Sequence, residues 1–386
     1  MKRSAAVVAL SLSLCASFVV VSAPARAADA VRGSALYHVT YACIDCHGAT
    51  PGSVGFPTGT SANDVVNSIR LVPTMHTRYG STLAANPADL NDIGAYLAIS
   101  NGDATGGPDL DQHGLTGSWY EPATSGQGIE VEFFPNLVAP GTAFVAGAWF
   151  TFDVAPTGGS DHDRWYTFAG NAVSGQASVP VAIYQNVGGN FDAPPVTHSV
   201  QVGSGTLAFA DCTHGTFSYT FTDGSGRNGS IALTRLLANV TCAASGTPPV
   251  NADFGFSGNW YTAATSGQGF LFEVNPVQPF FFLTWYTYAP AGEATGAAGL
   301  RWFTAQGPFS PGMCSVDLTL AETTGGAFDR ATNPAPSTVA VGIAKVTFAS
   351  CSSAQVQYAF NAGSNAGRSG TIALTRVGPV PAGCGP

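Results

Sequence analysis

Charged side chains are scarce in this chain. Asp, Glu, Lys and Arg together make up 10% of the 386 residues, against 45% hydrophobic residues. That low fraction excludes a disordered polyelectrolyte and a coiled coil, since both depend on many charges. Basic residues are scarcer than acidic ones, with 14 Lys and Arg against 23 Asp and Glu. An acidic chain with scattered Arg has no electrostatic footprint for nucleic acid or for an anionic membrane.

Long apolar runs are also nearly absent, and the one that exists lies at the N-terminus. Residues 5–21 are apolar, follow the basic pair Lys2-Arg3, and precede Ala25-Arg26-Ala27, with small residues at the cleavage-site positions. This order predicts a secretory signal peptide over residues 1–27. No later stretch reaches the roughly 20 apolar residues of a membrane helix. We therefore expect an exported, periplasmic or secreted protein without a transmembrane segment, in an oxidising compartment.

The most specific motif is Cys43-Ile44-Asp45-Cys46-His47. The spacing C-x-x-C-H is the attachment signature of c-type haem, in which two thiols bond the porphyrin and the histidine binds its iron. A disulfide redox pair would require a thioredoxin-like βαβ pattern, and a zinc site would require a second pair of ligands nearby. Neither is present in the flanking sequence. The motif therefore predicts one covalent haem c.

Residues 28–100 resemble a minimal class I c-type cytochrome, a small all-α domain. The matching segments are Gly33-x-x-Leu36-Tyr37, the haem motif with Gly48, Pro73-Thr74-Met75 and residues 92–97, Asp-Ile-Gly-Ala-Tyr-Leu. The resemblance implies covalent attachment through Cys43 and Cys46, with His47 as one axial ligand of the iron and Met75 as the other. His76 is the alternative to Met75, and His38 is a weaker competitor.

The identity of the second axial ligand decides the chemistry of the haem. A thioether such as that of Met75 favours reduced iron and raises the potential, whereas ligation by His76 would lower it. With both axial positions filled by protein, the iron has no vacant site for a substrate. Its chemistry is then one-electron transfer.

After a polar linker over residues 101–116, the chain contains an internal duplication. Four blocks recur with offsets of 136 to 141 residues, and the repeats are predicted to span residues 117–245 and 246–386. The recurring blocks are Gly117–Gly128 with Gly258–Gly269, Ala148–Thr151 with Thr284–Thr287, Arg164–Thr167 with Arg301–Thr304, and Ile231–Arg235 with Ile372–Arg376. An offset this long makes each unit a complete domain and excludes a short-period solenoid.

Each unit is predicted to be an all-β domain of eight short antiparallel strands. The chain has 47 Gly and 25 Pro, which is typical of many turns, and its apolar residues alternate with polar ones, as in residues 216–222. Strand starts are expected near residues 117, 128, 143, 163, 178, 205, 216 and 229. Eight such strands can close as a barrel or pack as a sandwich, and both remain open here.

Each unit begins with Gly-x-Trp and ends with Arg, as Trp119 with Arg235 and Trp260 with Arg376. This pair is similar to the calycin pattern of lipocalins and avidins, which implies a barrel with the Trp closing one end and the Arg packing over it. The block from the Trp to Ser-Gly-Gln-Gly also resembles a β-domain of proteobacterial secreted proteins with no assigned function.

The remaining cysteines repeat with the domains. Cys212 and Cys242 flank the last strands of the first unit, and Cys351 and Cys384 hold the equivalent places in the second. This repetition predicts the disulfides Cys212–Cys242 and Cys351–Cys384. Cys314 has no counterpart and is predicted to be a buried free thiol, with an intermolecular bridge as the alternative.

The β-units show no nucleophile with a base, so no catalytic residue is predicted. Gly-Gln-Gly-x-x-x-Glu recurs, placing Gln127 with Glu132 and Gln268 with Glu273. We interpret it as a turn followed by a solvated strand face, with a polar sugar or peptide contact as the alternative. Asp161-His162-Asp163 could bind a metal, but we interpret it as a polar loop. Four tryptophans could line a ligand cavity, but we assign them to core packing: Trp149, Trp165, Trp285 and Trp302.

Taken together, these patterns predict an exported mono-haem electron carrier whose two β-domains dock a redox partner protein, a small ligand or a surface component. One alternative is a haem-dependent oxidoreductase with a substrate site in the β-domains. Another is a secreted binding protein with an accessory haem domain. Whether the protein is an enzyme with its own substrate is left open by the sequence.

Overall fold

The computed structural model describes residues 107–155 and 158–385, together with isolated positions between 36 and 93. The predicted signal peptide lies outside the described residues, as does the haem domain apart from those isolated positions. Over 107–385 the regular structure is sixteen β-strands joined by loops and short 3-10 turns. The strands are β1 Gly117–Tyr120, β2 Gly128–Ala139, β3 Thr142–Phe152, β4 Asp163–Val173, β5 Ser178–Gln185, β6 Val200–Phe209, β7 His214–Phe221, β8 Asn228–Arg235, β9 Gly258–Tyr261, β10 Gly269–Asn275, β11 Phe280–Tyr288, β12 Leu300–Pro308, β13 Ser315–Thr324, β14 Ser337–Ser350, β15 Ser353–Phe360 and β16 Ser369–Arg376.

The strands form two closed antiparallel barrels, one from each repeat. In barrel 1, each of β1 to β8 pairs with the next, and β8 returns to β1 through the pair Trp119 and Arg235. In barrel 2, β9 to β16 follow the same order and close through Trp260 and Arg376. Closure removes every free sheet edge, so the barrel is correct and the sandwich alternative is excluded.

Alternation along the strands fills each barrel. On β7, the rings of Phe217, Tyr219 and Phe221 lie in the core of barrel 1, while the Thr and Ser residues between them lie on the other face. The same two-residue period holds on β15, where Val356, Tyr358 and Phe360 face the core of barrel 2. Because successive side chains of a strand point to opposite faces, this pattern fixes which face each strand turns inward.

The Trp and Arg pair closes one end of each barrel, as the resemblance to calycins implied. The Arg235 guanidinium carbon lies 5.2 Å from the ring centre of Trp119, and that of Arg376 lies 5.4 Å from Trp260. Arg235 also donates hydrogen bonds to the carbonyl oxygens of Gly114 and Thr116. The buried cation is thus held both by an aromatic face and by backbone acceptors.

The structure contains the disulfides Cys212–Cys242 and Cys351–Cys384, the same pairs as those predicted. Each joins the last part of a repeat to the turn before its final strands. The prediction for Cys314 is wrong in one respect, because its free thiol is exposed and not buried. It lies immediately before β13, outside the strand alternation that would have buried it.

Among the described residues, no helix has the length and apolar character required to cross a membrane.

Candidate functional site

The two barrels contact each other through the strands that carry the duplicated motif. Glu132 on β2 and Glu273 on β10 point away from their own barrel cores and are fully buried against the other barrel. The backbone N–H of Ser118 donates to Glu273 Oε2 at 2.8 Å. In the reciprocal contact, the backbone and side-chain N–H groups of Asn259 donate to Glu132 Oε2. The prediction of a solvated strand face for these glutamates is therefore wrong.

The glycine of each Gly-x-Trp motif is required by this contact. Gly117 and Gly258 have φ values of 136° and 135°. A Cβ at Gly117 would lie 2.6 Å from the Glu273 carboxyl, and one at Gly258 would lie 2.2 Å from that of Glu132. Only glycine allows both this backbone conformation and the close approach of the carboxyl group.

An arginine from the opposite barrel completes each glutamate site. Arg376 Nη2 lies 2.7 Å from Glu132 Oε1, whereas Arg235 Nη2 lies 3.7 Å from Glu273 Oε1. Burial raises the pKa of both glutamates, and the opposing arginine acts against that rise. The Arg that closes one barrel therefore also neutralises a carboxylate of the other.

Each barrel also inserts a loop into the open mouth of its partner. We call residues 186–199, between β5 and β6, the first plug loop, and residues 325–336, between β13 and β14, the second plug loop. The ring of Phe191 lies 5.0 Å from that of Trp285 in barrel 2. The ring of Phe328 lies 4.9 Å from that of Trp149 in barrel 1. Both barrel mouths are thereby filled by aromatic side chains of the chain itself.

The glutamine of the duplicated motif holds the plug loop of the other barrel. Gln127 Nε2 donates to the carbonyl oxygen of Ala327 at 3.1 Å, and its Oε1 accepts from the backbone N–H of Asp329. Gln268 makes the same two contacts with Asn190 and Asp192. Both glutamines thus bind peptide groups of the same chain, and the predicted alternative, a contact with a sugar or peptide ligand, stays a prediction.

An aspartate follows each plug phenylalanine and contacts a tyrosine of the barrel it enters. The Tyr219 hydroxyl donates to Asp329 Oδ2, and the Tyr358 hydroxyl donates to Asp192 Oδ2. Partial burial raises the pKa of both aspartates, and it raises the pKa of both tyrosines as well. Each plug loop is therefore held by hydrogen bonds to its backbone, by packing of its Phe ring and by the hydrogen bond to its Asp carboxylate.

The four tryptophans that could line a cavity lie in two different places. Trp149 and Trp285 lie inside the barrels, beneath the plug rings. Trp165 and Trp302 lie between the barrels, and each indole N–H donates at 3.0 Å to a carbonyl oxygen of the opposite barrel, that of Thr287 or Thr151. Their assignment to core packing holds for the first pair, whereas the second pair forms the interface.

Beside this interface lie two clefts, each lined in part by one copy of the Ser-Gly-Gln motif. The first cleft has a volume of about 310 Å³ and is lined by the Ser-Gly-Gln-Gly segment 125–128 together with side chains of barrel 2. The second cleft, of about 320 Å³, is lined by the equivalent segment 266–268 with Tyr261 and Tyr286. Volumes of this size suit small-molecule ligands. The first cleft alone contains an acidic side chain, Glu130.

The other predicted sites have different outcomes. Asp163 is fully buried at the start of β4, while His162 contacts Asp153 at 3.2 Å. No three metal-ligating side chains converge anywhere in the described part of the chain. The assignment of Asp161-His162-Asp163 to a polar loop is wrong for Asp163, which lies on a strand and is buried. The predicted haem ligands and attachment sites lie outside the described residues: Cys43, Cys46, His47, Met75 and His76.

Sequence reasoning missed the plug loops, although a signal for them is present. Gly188-Gly189-Asn190-Phe191-Asp192 recurs as Gly325-Gly326-Ala327-Phe328-Asp329, at an offset of 137 residues. The repetition of Gly-Gly-x-Phe-Asp in a loop, where turn chemistry alone would not require Phe, could have marked the segment. Neither a protein-family model nor a curated protein matches this chain, so its function is argued from its own residues.

Proposed function

We propose that the protein is an exported mono-haem c-type cytochrome that transfers single electrons and uses its two barrels to dock a partner or ligand. The observation that carries the proposal is the motif Cys43-Ile44-Asp45-Cys46-His47. The donors fit the group, because two thiols can bond the haem covalently, and an imidazole with a thioether can hold its iron in a six-coordinate state. When bound, the haem supplies one-electron oxidation and reduction.

Two properties of the barrels support this proposal: they contain disulfides, and they are held rigidly against each other. Disulfides Cys212–Cys242 and Cys351–Cys384 are typical of exported proteins, and haem attachment to thiols also occurs on the exported side. The reciprocal plug loops tie the barrels into one body, which leaves the clefts as the preformed surfaces available for docking.

A spectrum of the purified mature protein tests the haem. We expect a pyridine haemochrome that stays with the polypeptide after acid–acetone extraction, and its loss in the C43A/C46A variant. The C212A/C242A variant, which also removes two sulfurs, serves as the matched control and keeps the haem. Thiols at 43 and 46 that are free, or joined to each other, in a colourless protein would refute the proposal.

The second axial ligand is settled by the same preparation. With Met75 bound, the oxidised protein has a near-infrared charge-transfer band from sulfur to iron, which the M75A variant loses and the H76A variant keeps. If the wild type lacks this band, and its low-spin haem spectrum changes in H76A but not in M75A, the ligand is His76.

A binding-protein function is the second candidate, favoured by the acidic first cleft. It predicts that the C43A/C46A variant of the full chain, although free of haem, keeps its affinity for the ligand of the barrels. Loss of that affinity together with the haem would instead tie the cleft to the redox domain.

A further inference from the structure

The two barrels differ in the length of the hairpin that joins their second and third strands. In barrel 1, regular pairing stops at Phe134 with Phe144, and the nine residues 135–143 between them form the tip. In barrel 2, the equivalent tip has only four residues, 276–279. The five extra residues of the first repeat account for the fall in the repeat offset from 141 to 136.

The longer tip is apolar and exposed. We call residues 135–143 the extended hairpin. Its central residues Leu137, Val138, Ala139 and Pro140 are all exposed, with Leu137 at 45% and Val138 at 49%. Because successive residues of a strand point to opposite faces, none of the described residues covers either face of this tip. Four consecutive exposed apolar residues are unfavourable in water unless they contact a partner.

Val173 on β4 extends this apolar surface. It is 51% exposed and pairs across the ladder with Thr142, which pairs in turn with Ala139 of the tip. The sequence contains no charged residue between Glu132 and Asp153. The charges that ordinarily protect an exposed apolar strand from association are therefore missing from the extended hairpin.

The chain enters barrel 1 beside the extended hairpin. Asp111 Oδ1 accepts a hydrogen bond from the backbone N–H of Asn136 at 2.7 Å, and Asp109 Oδ2 accepts one from the Ser174 hydroxyl at 2.6 Å. Leu110, between the two aspartates, is fully buried in the core of barrel 1. The segment that leads into barrel 1 is therefore fixed against this hairpin and the neighbouring turn.

The domain predicted over residues 28–100 cannot lie far from this hairpin. Only residues 101–106 separate it from Gly107, and a fully extended connection from 100 to 107 spans at most about 25 Å. A folded domain of this length has a radius of gyration of roughly 11 Å. The tether therefore holds the domain at this end of barrel 1, at an effective concentration on the order of 1 mM.

We propose that the extended hairpin is the docking surface for the domain predicted over residues 28–100, and that it holds this domain in one position on barrel 1. The extra residues occur in the repeat that follows this domain, are apolar, and lie where the linker arrives. A second copy of the chain would compete with a partner that is already tethered. The inference rests on the proposed function only in requiring that residues 28–100 form a domain. No residue of the hairpin lines either cleft, so the docking surface is separate from both.

Distance measurement by pulsed electron paramagnetic resonance on the full mature chain tests the docking. One nitroxide is attached to the exposed thiol of Cys314 and the other to T82C, at a position that is also exposed. We expect one narrow distribution of distances between the labels. L137S/V138S is expected to lose this narrow distribution and give a broad one, because the apolar contact is removed and the tether remains. V277S, at the 61% exposed tip of the equivalent hairpin in barrel 2, is the matched control and should keep it.

A broad distribution in the chain with an unaltered hairpin, or a narrow one that survives L137S/V138S, would overturn the proposal. Association that rises with concentration in sedimentation velocity, and that L137S/V138S abolishes, would assign the hairpin to a second copy and overturn it as well. Small-angle X-ray scattering of the unlabelled protein is the label-free check, in which L137S/V138S should increase the radius of gyration. Both substituted residues are exposed, so near-ultraviolet circular dichroism should show intact barrels.

The pyridine haemochrome spectrum of the same sample separates this inference from the proposed function. A broad distribution in a chain that contains haem would reject the docking alone and leave the electron-transfer proposal standing. If the chain contains no haem, the electron-transfer proposal fails, and the distances are measured in the C43A/C46A background so that only the two intended thiols are labelled. The same outcomes then decide the docking.

Discussion

The buried carboxyl groups between the barrels show how the environment of a single residue decides its role. Glu132 has a guanidinium at 2.7 Å and two N–H donors from Asn259, so its charge is satisfied at full burial. Such pairs contribute little net stability, because desolvation offsets the attraction. Their effect is to specify one arrangement, since any other docking of the barrels would leave a buried charge unpaired. We infer that Glu132 and Glu273 fix the relative orientation of the barrels.

The burial of these glutamates could not be predicted from the sequence. Glu132 follows a Gly-rich turn on a strand, and that position is ordinarily solvated. The arginine that neutralises it is 244 residues further along the chain. A local pattern carries no information about a partner at that separation, so only the three-dimensional arrangement shows the pair.

Glu130 makes stability depend on pH. Burial and the neighbouring Glu273 raise the pKa of Glu130 well above its ordinary value of 4.5. Above about pH 4.5 the unfolded chain has therefore released a proton that the folded protein still holds, and raising the pH destabilises the fold. The E130Q variant lacks this linkage. We expect its free energy of unfolding, relative to wild type, to increase from about pH 5 to about pH 8, by at most about 1.4 kcal/mol per pH unit.

Urea denaturation at each pH measures this difference. D317N, which removes a carboxylate whose side chain is 85% exposed, is the control and is expected to follow the wild-type profile. A difference between E130Q and wild type that does not vary over this pH range would contradict the prediction.

At the level of strands and loops, periodicity predicted the strands well and the loops poorly. Seven of the eight strands of barrel 1 begin within two residues of the expected position. The exception, β6, begins at Val200, five residues before Gly205. The predicted strand start at Gly205 is wrong, because Gly205 lies within β6, where a Cβ would come 3.0 Å from the Phe217 ring. Glycine is thus ambiguous between a turn and a close packing contact.

The plug loops were not predicted because their conformation depends on the opposite barrel. Asp192 and Asp329 have φ values of 44° and 45°, which are uncommon for residues other than glycine. Their backbone N–H groups are held by Gln268 and Gln127. Long-range contacts, and not local turn chemistry, therefore determine the shape of each loop.

Removing one glutamine should release one plug loop and spare the other. Gln268→Ala deletes the acceptor for the Asp192 N–H and the donors to two carbonyl oxygens of the first plug loop, Asn190 and Ala193. We expect amide hydrogen exchange at Asp192 to accelerate about tenfold, since lost hydrogen bonds of this kind are worth about 1 kcal/mol each. Exchange at Asp329 should stay as in wild type.

Gln127→Ala is the matched variant, and it should produce the mirror result. Acceleration at Asp329 with an unchanged Asp192 is expected there. If either substitution accelerated both loops equally, the loops would be responding to general loosening of the interface, and the assigned contacts would be wrong.

For the whole molecule, the duplication produces one structural unit from two barrels. Three kinds of contact join the barrels, and each occurs twice in a reciprocal way. They are the plug loops, the hydrogen bonds of the indole N–H groups and the Arg–Glu ion pairs. Domains of one chain ordinarily meet through modest polar interfaces and move relative to each other. Here each barrel supplies part of the hydrophobic core of the other, so neither core is complete alone.

This exchange of core residues predicts that the barrels unfold together. Wild-type protein should show one calorimetric transition for residues 107–385, with equal calorimetric and van't Hoff enthalpies.

Phe191 and Phe328 are 8% and 9% exposed, so F191A and F328A should each lower the free energy of unfolding by about 3–5 kcal/mol. In each variant both barrels are expected to lose stability, although the substituted residue belongs to the repeat that forms only one of them. Val196 lies in the first plug loop but is 46% exposed, so V196A should change the free energy of unfolding by less than about 0.5 kcal/mol. Two separate transitions in the wild type would show instead that each barrel is stable without the ring supplied by its partner.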